Sequence, residues 1–257
     1  MEGCAGNLTE VLGLDSRDHI ALVGGGGKTS LLFALAGELV RKNRKVITST
    51  TTKIWYHEAQ NSSYIAFVQN NPFWKAHLRE GLRTHGQVFL AEGLLDSGKV
   101  KGISPSLADE LYQSCEMEYL LVEADGAAGH PVKAPADFEP VIPSSATKVV
   151  ALIGLEAIGG RLEPEVVFRM DLFAKLTGIY PGEKLTLHGL AKLFLDSKGL
   201  FKGTPVFSKR LVFLNKFDII EKIEDAKELA SLIMGNSLKQ IDRVVIGSIS
   251  KGEYFLI

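Results

Sequence analysis

The stretch IALVGGGGKTSLLFALAGEL, residues 20–39, decides the fold. An apolar run leads into four consecutive glycines, and Lys28, Thr29 and Ser30 follow them. The order predicts a strand, a glycine loop and a helix over Lys28–Arg41, with leucines recurring at helical spacing. Glycine amides beside a helix N-terminus suit an anion, because the loop lacks Cβ groups and the helix end carries partial positive charge.

The glycine loop is shorter than the common phosphate-loop template. G-x-x-x-x-G-K-[ST] requires a glycine where Leu22 stands, whereas Gly24 to Thr29 reads G-x-x-G-K-T. A glycine hinge with an incidental Lys-Thr pair is the alternative. We interpret the segment as a phosphate site in which the lysine reaches the terminal phosphates and the threonine hydroxyl binds Mg²⁺. The residues assigned to the nucleotide here are Gly24, Gly25, Gly26, Gly27, Lys28, Thr29 and Ser30.

Short apolar runs alternate with helical patterns along the chain, as in βα units. The candidate strands are His19–Val23, Lys45–Thr50, Tyr64–Val68, Gln87–Ala91, Tyr119–Glu123, Lys148–Ile153, Arg210–Leu214 and Arg243–Ile246. Further helices are predicted over Pro164–Leu176, Leu187–Leu195 and Ile220–Ile233. We predict an α/β fold, a mainly parallel sheet flanked by helices in a P-loop NTPase-like three-layer sandwich. Residues 1–257 are expected to form a single domain, in which 55–118 could be an insertion or subdomain.

Composition narrows the class of partner. The formal net charge is −1, so the bulk electrostatics do not favour nucleic acid or an anionic membrane. No apolar run approaches the ~18 residues of a spanning helix, and no signal-peptide pattern opens the chain. Cys4 and Cys115 are too few and too far apart for a disulfide framework or a CxxC metal pair. We expect a cytoplasmic protein that contacts neither nucleic acid nor membrane.

A second acidic motif follows the strand in YLLVEADGAAG, residues 119–129. Glu123 and Asp125 lie on the same side of an extended chain, so both can approach one metal ion. E-x-x-G fits from Glu123 to Gly126, whereas D-x-x-G fails because Ala128 stands at the glycine position. We assign Glu123 and Asp125 to Mg²⁺ with Thr29, and to catalysis with Lys28. A pair of solvated acids at a strand end is the alternative.

The sequence RLVFLNKFDII, residues 210–220, contains an N-K-x-D loop after an apolar strand. In this type of loop the aspartate accepts hydrogen bonds from N1–H and the 2-amino group of guanine, which adenine does not offer. Asn215, Lys216 and Asp218 are therefore assigned to the base, and GTP is favoured over ATP. The SISK segment, residues 248–251, follows the next strand, where GTPases place a base-contacting Ser-Ala-Lys.

Two further segments leave their roles open. Thr50, Thr51 or Thr52 could contact the terminal phosphate, or the three could simply be a polar strand end. Residues 126–143 contain four prolines and are predicted to be an irregular loop of functional length. Within it, Lys133 could place a second cation near the phosphates.

Five segments together resemble the YqeC family, accessory proteins of selenium-dependent molybdenum hydroxylases. They are VGGGGKTSL, VITSTTTK, LLVEADGAAGHPVKAPADFEPVIP, GLFKG and FLNKFD, and the similarity runs over nearly the whole chain. The resemblance implies a P-loop NTPase fold and a role in maturing a molybdenum hydroxylase. The glycine loop, E-x-x-G and N-K-x-D are also similar to those of GTPases that assist nickel insertion, which is an analogy of motifs.

The function predicted from these observations is Mg²⁺-dependent binding and hydrolysis of GTP, or ATP, by an accessory factor. Its expected partners are a molybdenum hydroxylase or the proteins that mature its cofactor, and a homodimer is left open. One alternative is a phosphotransferase that acts on a small molecule, with the acceptor bound by 126–143 and 55–118. The other is a non-hydrolysing, nucleotide-gated protein that loads or protects a cofactor.

Overall fold

The computed structural model describes residues 4–114, 117–236 and 241–257. Cys115, one of the two cysteines judged too few and too far apart for a disulfide framework, lies outside the described residues. The strands are β1 Cys4–Ala5, β2 Asp18–Gly24, β3 Val46–Thr50, β4 Lys53–Trp55, β5 Ile65–Phe67, β6 Gln87–Ala91, β7 Gly93–Leu94, β8 Lys99–Lys101, β9 Tyr119–Glu123, β10 Val132–Lys133, β11 Lys148–Gly154, β12 Val167–Phe168, β13 Lys209–Asn215, β14 Arg243–Ser248 and β15 Glu253–Leu256. The helices are α1 Leu8–Val11, α2 Lys28–Arg41, α3 Tyr56–Ala59, α4 Trp74–His85, α5 Pro105–Gln113, α6 Met170–Thr177, α7 Leu187–Leu195 and α8 Ile223–Asn236.

Ten of these strands form one sheet in the order β1-β15-β14-β13-β11-β2-β9-β3-β6-β5. The eight strands from β14 to β5 in this order pair in parallel, and β15 and β1 add an antiparallel edge. Each of the eight strands predicted from apolar runs is present. Their continuous apolar character follows from burial on both faces of the sheet, which leaves no solvent side for polar residues.

Helices cover both faces of the sheet. On one face, α1 and α2 pack Leu8, Leu31 and Leu35 onto residues such as Leu22 of β2. On the other face, α6, α7 and α8 cover the β2–β11–β13–β14 half, and α4 and α5 cover the β3–β6–β9 half. The predicted fold class, a three-layer sandwich around a mainly parallel sheet, is therefore confirmed.

Residues 55–118 contribute strands to the main sheet and to a second, smaller sheet. They supply β5 and β6 to the main sheet, and β7 and β8 to a small antiparallel sheet with β4. The strands that they add to the main sheet favour the single domain over 1–257, which stays a prediction. None of the helices in the described residues is both long and apolar enough to cross a membrane.

Two helix predictions need correction. The helix expected over Pro164–Leu176 begins only at Met170, because Val167 and Phe168 pair in parallel with Val132 and Lys133 as β12 and β10. The helix expected over Ile220–Ile233 is shifted to Ile223–Asn236. The proline-rich stretch 126–143 is irregular as predicted, with only the two-residue strand β10 inside it.

Candidate nucleotide-binding cleft

The glycine loop joins the carboxyl end of β2 to the first residue of α2. Gly24, Gly26 and Gly27 have φ values of 96°, 72° and 116°, which L residues with a Cβ rarely adopt. A side chain at two of these positions would also clash with the neighbouring backbone. A Cβ on Gly26 would lie 2.0 Å from the backbone nitrogen of Gly154, and one on Gly24 would lie 2.2 Å from the carbonyl oxygen of Leu152. The glycines thus let the loop lie flat against the end of β11.

Three backbone N–H groups of this loop already donate hydrogen bonds to other parts of the chain. Gly24 N–H donates to the Asp125 carboxylate, Gly25 N–H to the carbonyl of Leu152, and Gly26 N–H to the carbonyl of His130. The amides of residues 27–30 belong to the helix N-terminus, where N–H groups have no partner inside the helix. All four of these residues line a cleft of about 620 Å³. The amides available to an anion therefore lie at the helix end rather than along the whole glycine run.

Lys28 lies beneath the loop in a cage of oxygens. Its ammonium donates to the carbonyl of Gly24 at 2.6 Å and lies 3.2 Å from Asp125 Oδ1 and 3.5 Å from Glu123 Oε1. Burial by itself would lower the pKa of Lys28, but the two carboxylates outweigh it and raise the pKa above the ordinary value. Lys28 is therefore a fixed positive charge at the floor of the cleft.

Thr29 and Glu123 fit a single hard cation. The hydroxyl of Thr29 donates to Glu123 Oε2 at 2.8 Å, so these two oxygens can share one ion. Burial raises the pKa of Glu123 more than the neighbouring Lys28 lowers it, and a divalent cation would favour the ionised form. No cluster of three or more His, Cys, Asp or Glu suited to a metal occurs in the part of the chain described. This donor set suits Mg²⁺ held by few protein oxygens together with nucleotide phosphates.

Asp125 occupies a different position from the one predicted for a metal ligand. Its side chain is fully buried, accepts the N–H of Gly24 and lies between Lys28 and Lys133, which is 3.1 Å away. Both acids approach Lys28 from the same side, as strand alternation predicts. In this structure, however, Asp125 anchors the loop and the lysines, whereas Glu123 lines the cleft.

A buried chain of charges continues from Asp125 to the far wall of the cleft. Lys133 lies 2.8 Å from Glu139 Oε2, and the guanidinium of Arg169 contacts the same carboxylate. Lys133, for which the sequence left open a role as a second cation near the phosphates, is fully buried in this chain. Sequence reasoning assigned no role to Glu139, although it lies in the segment 120–143 that carries the family resemblance, or to Arg169, which stands outside the quoted segments. Arg169 has a φ of 65°, an uncommon conformation that holds its side chain beside the cleft.

The N-K-x-D loop meets the glycine loop directly. Asn215 Nδ2 donates to the carbonyl of Gly26 at 2.7 Å, and Asn215 Oδ1 accepts the N–H of Ile249 at 3.3 Å. Lys216 has a φ of 70°, and its ammonium contacts Glu156 at the side of the cleft. Asn215 thereby ties together the phosphate loop, the end of β13 and the SISK segment.

Asp218 lies two residues after Lys216, beyond the residues that line the cleft, and one of its oxygens lacks a hydrogen-bond partner in the part of the chain described. The Ser250 hydroxyl lies 3.4 Å from Asp218 Oδ2, and the pKa of Asp218 is lowered chiefly by the Ser248 hydroxyl, so the carboxylate is ionised. Its Oδ1 atom is buried without a hydrogen-bond partner among the described residues. A buried acceptor of this kind is costly unless a donor arrives, and two N–H groups of a guanine edge are suitable donors.

The side chains of Thr50 and Thr51, at the end of β3, bind backbone carbonyls and do not line the cleft. Thr50 Oγ1 donates to the carbonyl of Glu123 at 2.9 Å, and Thr51 Oγ1 donates to the carbonyl of Val141 at 2.9 Å. The cleft is lined instead by the following residues, Lys53, Ile54 and Trp55. Of the two interpretations, the polar strand end matches the observed contacts better.

Sequence comparison with known proteins identifies the family of this chain. The model of the YqeC protein family matches residues 20–171, which include the glycine loop, Glu123, Asp125 and Glu139. A protein of Escherichia coli (strain K12), described as uncharacterized protein YqeC, is 34% identical over 222 residues, 86% of this chain and 85% of its own length. The chain belongs to the YqeC family. The predicted family is thus confirmed, and every member of the charge chain lies within the YqeC match.

Two solved structures also overlap the YqeC-family chain. One is the signal recognition particle 54 kDa protein of Aeropyrum pernix K1 in complex with GDP, with a TM-score of 0.41, 16% identity and 95% coverage of this chain. The other is FtsY of Mycoplasma mycoides, with a TM-score of 0.41, 12% identity and 96% coverage. The chain spans 44% and 65% of these two solved chains, less than two thirds of either.

Proposed function

We propose that the protein binds Mg²⁺·GTP in this cleft and hydrolyses it, as an accessory factor in the maturation of a selenium-dependent molybdenum hydroxylase. The observation that carries the nucleotide assignment is the hydrogen bond from Asn215 to Gly26. It joins two nucleotide motifs that lie 189 residues apart in sequence. The role in maturation is supported by the resemblance to the YqeC family.

Each residue of the proposed site has a separate task. The helix-end amides of 27–30 and the Lys28 ammonium bind the phosphates, and Asp218 accepts hydrogen bonds from the base. Thr29 and Glu123 hold Mg²⁺, which when bound neutralises charge on the phosphates. Asp125 orients Lys28 and the glycine loop. Most of the acceleration in phosphoryl transfer comes from such positioning and charge neutralisation, so a dedicated basic side chain is not required.

Calorimetric titration of slowly hydrolysed GTP and ATP analogues with Mg²⁺ tests this assignment. We expect the wild type to bind the GTP analogue more tightly. Loss of the Lys28 charge in Lys28→Ala should weaken binding of both analogues by about tenfold to a hundredfold. Asp218→Ala should remove the preference for guanine. Asp171→Ala, which removes an exposed carboxylate from α6, is the matched control and should bind like the wild type.

Three results would contradict parts of the proposal. Binding of the ATP analogue that is indifferent to Asp218 would point to an adenine nucleotide. Absence of binding by either analogue would refute the nucleotide site and return the four glycines to a hinge. Binding without phosphate release, with and without a candidate partner protein, would favour the non-hydrolysing alternative.

The phosphotransferase remains the second candidate, because the cleft is larger than the phosphate site needs. Its lining runs from the glycine loop to Trp55 on one side and to Ala127–His130 and Arg169 on the other. A fast release of product that depends on an added small acceptor would favour transfer. Slow turnover that a partner protein accelerates would favour the accessory GTPase.

A further inference from the structure

The cleft extends away from the base-reading loop. Across this edge of the sheet the strands follow the order β13, β11, β2, β9 and β3. The N-K-x-D loop follows β13 and the glycine loop follows β2, whereas Lys53 and Trp55 come after β3 on the opposite side. A nucleotide with its base at Asp218 and its phosphates on the helix end leaves this far side unfilled. The wall there, made by Lys53, Trp55 and Lys99, is called the tryptophan wall below.

The tryptophan wall is built on the small antiparallel sheet. Trp55 in β4 is directly opposite Lys99 in β8, and the Lys99 ammonium lies 4.5 Å from the centroid of the indole ring. Lys53 lies two residues before Trp55 in the same strand, so both side chains emerge from the same face. The indole is 47% exposed although its strand neighbour Ile54 is buried. The His57 ring lies nearly parallel to the indole, with centroids 6.3 Å apart, and the part of the indole that stays exposed offers an apolar surface to a flat ring.

The tryptophan wall also carries unbalanced positive charge. Among the described residues, neither Lys53 nor Lys99 forms an ion pair, whereas Lys28, Arg169 and Lys216 in the same cleft each contact a carboxylate. The nearby carboxylate, Glu58, accepts the backbone N–H of Trp55 at 2.8 Å and lines the same cleft, so it offsets one of the two ammonium charges and leaves the other in excess. Two unpaired ammonium groups beside an exposed ring match an oxyanion attached to an aromatic group.

We propose that the tryptophan wall binds a second small molecule: a planar aromatic or heteroaromatic compound that carries a phosphate group. The ring stacks on Trp55, and Lys53 and Lys99 bind the phosphate. The placement of this ligand next to the terminal phosphate of the nucleotide rests on the proposed function. Its binding does not, because none of the three residues belongs to the nucleotide site. In this position the second molecule is either the acceptor of a phosphoryl group or the cargo whose loading the nucleotide controls.

Titration calorimetry with FMN and riboflavin, which differ by one phosphate group, tests the proposal. The titrations use the wild type and Lys28→Ala, so that a phosphate seated on the glycine loop is recognised. We expect FMN to bind both proteins equally and more tightly than riboflavin. Trp55→Ala and the double variant Lys53→Ala/Lys99→Ala should each weaken FMN binding by at least about tenfold, given the usual contribution of aromatic stacking and charge-assisted bonds.

Lys101→Ala provides the matched control. Lys101 is in the same strand as Lys99 but forms an ion pair with Glu92 at 2.8 Å, outside the cleft, and its loss should leave FMN affinity unchanged. A second probe, 1-naphthyl phosphate, should show the same dependence on Trp55. Far-UV circular dichroism and urea denaturation of each variant, the buried substitution Lys28→Ala included, check that the fold is intact before its FMN affinity is interpreted.

Several outcomes would overturn the proposal. These are failure of both probes to bind, riboflavin affinity equal to that of FMN, FMN binding unaffected by the wall variants, or FMN binding lost in Lys28→Ala. The last result would place the probe on the glycine loop. Titration of the GTP analogue into the same wild-type preparation reports on the nucleotide site separately, so failure of one proposal is distinguishable from failure of the other.

Discussion

Lys28 and Asp125 form an ion pair of 3.2 Å beneath the glycine loop, with side-chain exposures of 3% and 0%. Asp125 also faces Lys133, and Lys133 shares Glu139 with Arg169. Five side chains of alternating charge thus connect the floor of the cleft, beneath the glycine loop, to its opposite wall. Because the members are mostly buried, each charge depends on its neighbours, and a change at either end is felt along the chain.

The first prediction concerns the centre of this chain. Lys133→Met keeps the length of the side chain but removes the charge. Asp125 then retains only Lys28 as a cationic partner, and Glu139 retains only Arg169. Breaking a buried pair in this way is expected to lower the free energy of unfolding by about 3–5 kcal/mol. Urea denaturation at pH 7 measures it. Lys175→Met on exposed α6 should change stability by less than about 0.5 kcal/mol.

If Lys133→Met were as stable as the wild type, Asp125 and Glu139 would have to be protonated or solvated. The buried charge chain would then not describe the protein in solution.

The second prediction concerns the metal. Thr29→Val replaces the hydroxyl that meets Glu123 with a methyl group of nearly the same volume. We expect the affinity for the GTP analogue to become independent of Mg²⁺, because the protein no longer offers the ion its threonine ligand. Titrations in Mg²⁺ and in EDTA measure the difference. Thr84→Val on the exposed side of α4 should retain the full Mg²⁺ dependence.

A Thr29→Val protein that still required Mg²⁺ as the wild type does would place the ion away from Thr29 and Glu123.

The third prediction is a dependence of stability on pH. Burial lowers the pKa of His19 from 6.5 to about 4, so the folded protein holds this imidazole neutral. The unfolded chain binds the proton first. Stability from His19 is therefore complete above pH 6.5, declines as the pH falls towards 4, and declines no further below that. At pH 5 the loss is about 2 kcal/mol relative to pH 7.

Urea denaturation of the wild type and His19→Gln at pH 7 and pH 5 checks this sign and size. The difference between the two pH values should shrink by about 2 kcal/mol in His19→Gln and remain in His188→Gln, where the side chain is exposed. An unchanged difference in His19→Gln would show that the loss of stability comes from other groups.

The sequence predicts the bounds of an element correctly where residues at the ends of that element mark them. The helix Lys28–Arg41 is predicted to the residue, because glycines precede it and its leucines recur with helical period. The helix α5 carries a comparable signal, since Ser104 accepts the N–H of Leu107 and Pro105 occupies the first turn. The helix α4 buries a narrow stripe that includes Leu78 and Leu82 under an otherwise polar surface, which is an amphipathic pattern as clear as that of α5.

Long-range contacts account for what the sequence could not indicate. The start of α6 is set by the pairing of β10 with β12, two strands that lie 35 residues apart in register. Of the partners of Asp125, Lys28 is remote in sequence and meets it only in the folded sheet, whereas Lys133 is brought back to it by the irregular loop that follows Asp125. Motif spacing brings Glu123 and Asp125 to one side of a strand, but only packing decides which of them is buried under the loop and which lines the cleft.

The last prediction concerns the choice of base. In Asp218→Asn one carboxylate oxygen becomes an amide NH₂, so the side chain donates a hydrogen bond where it accepted one. Guanine offers a 2-amino donor to that position, whereas xanthine offers a 2-oxo acceptor. We expect the variant to lose affinity for the GTP analogue and to gain affinity for the xanthosine counterpart, each by about tenfold to a hundredfold. Competition titrations with both nucleotides measure the exchange, and Asp171→Asn serves as the matched control. A variant that weakened both nucleotides equally would show that Asp218 supports the loop without reading the base, because a purely structural defect cannot favour xanthine.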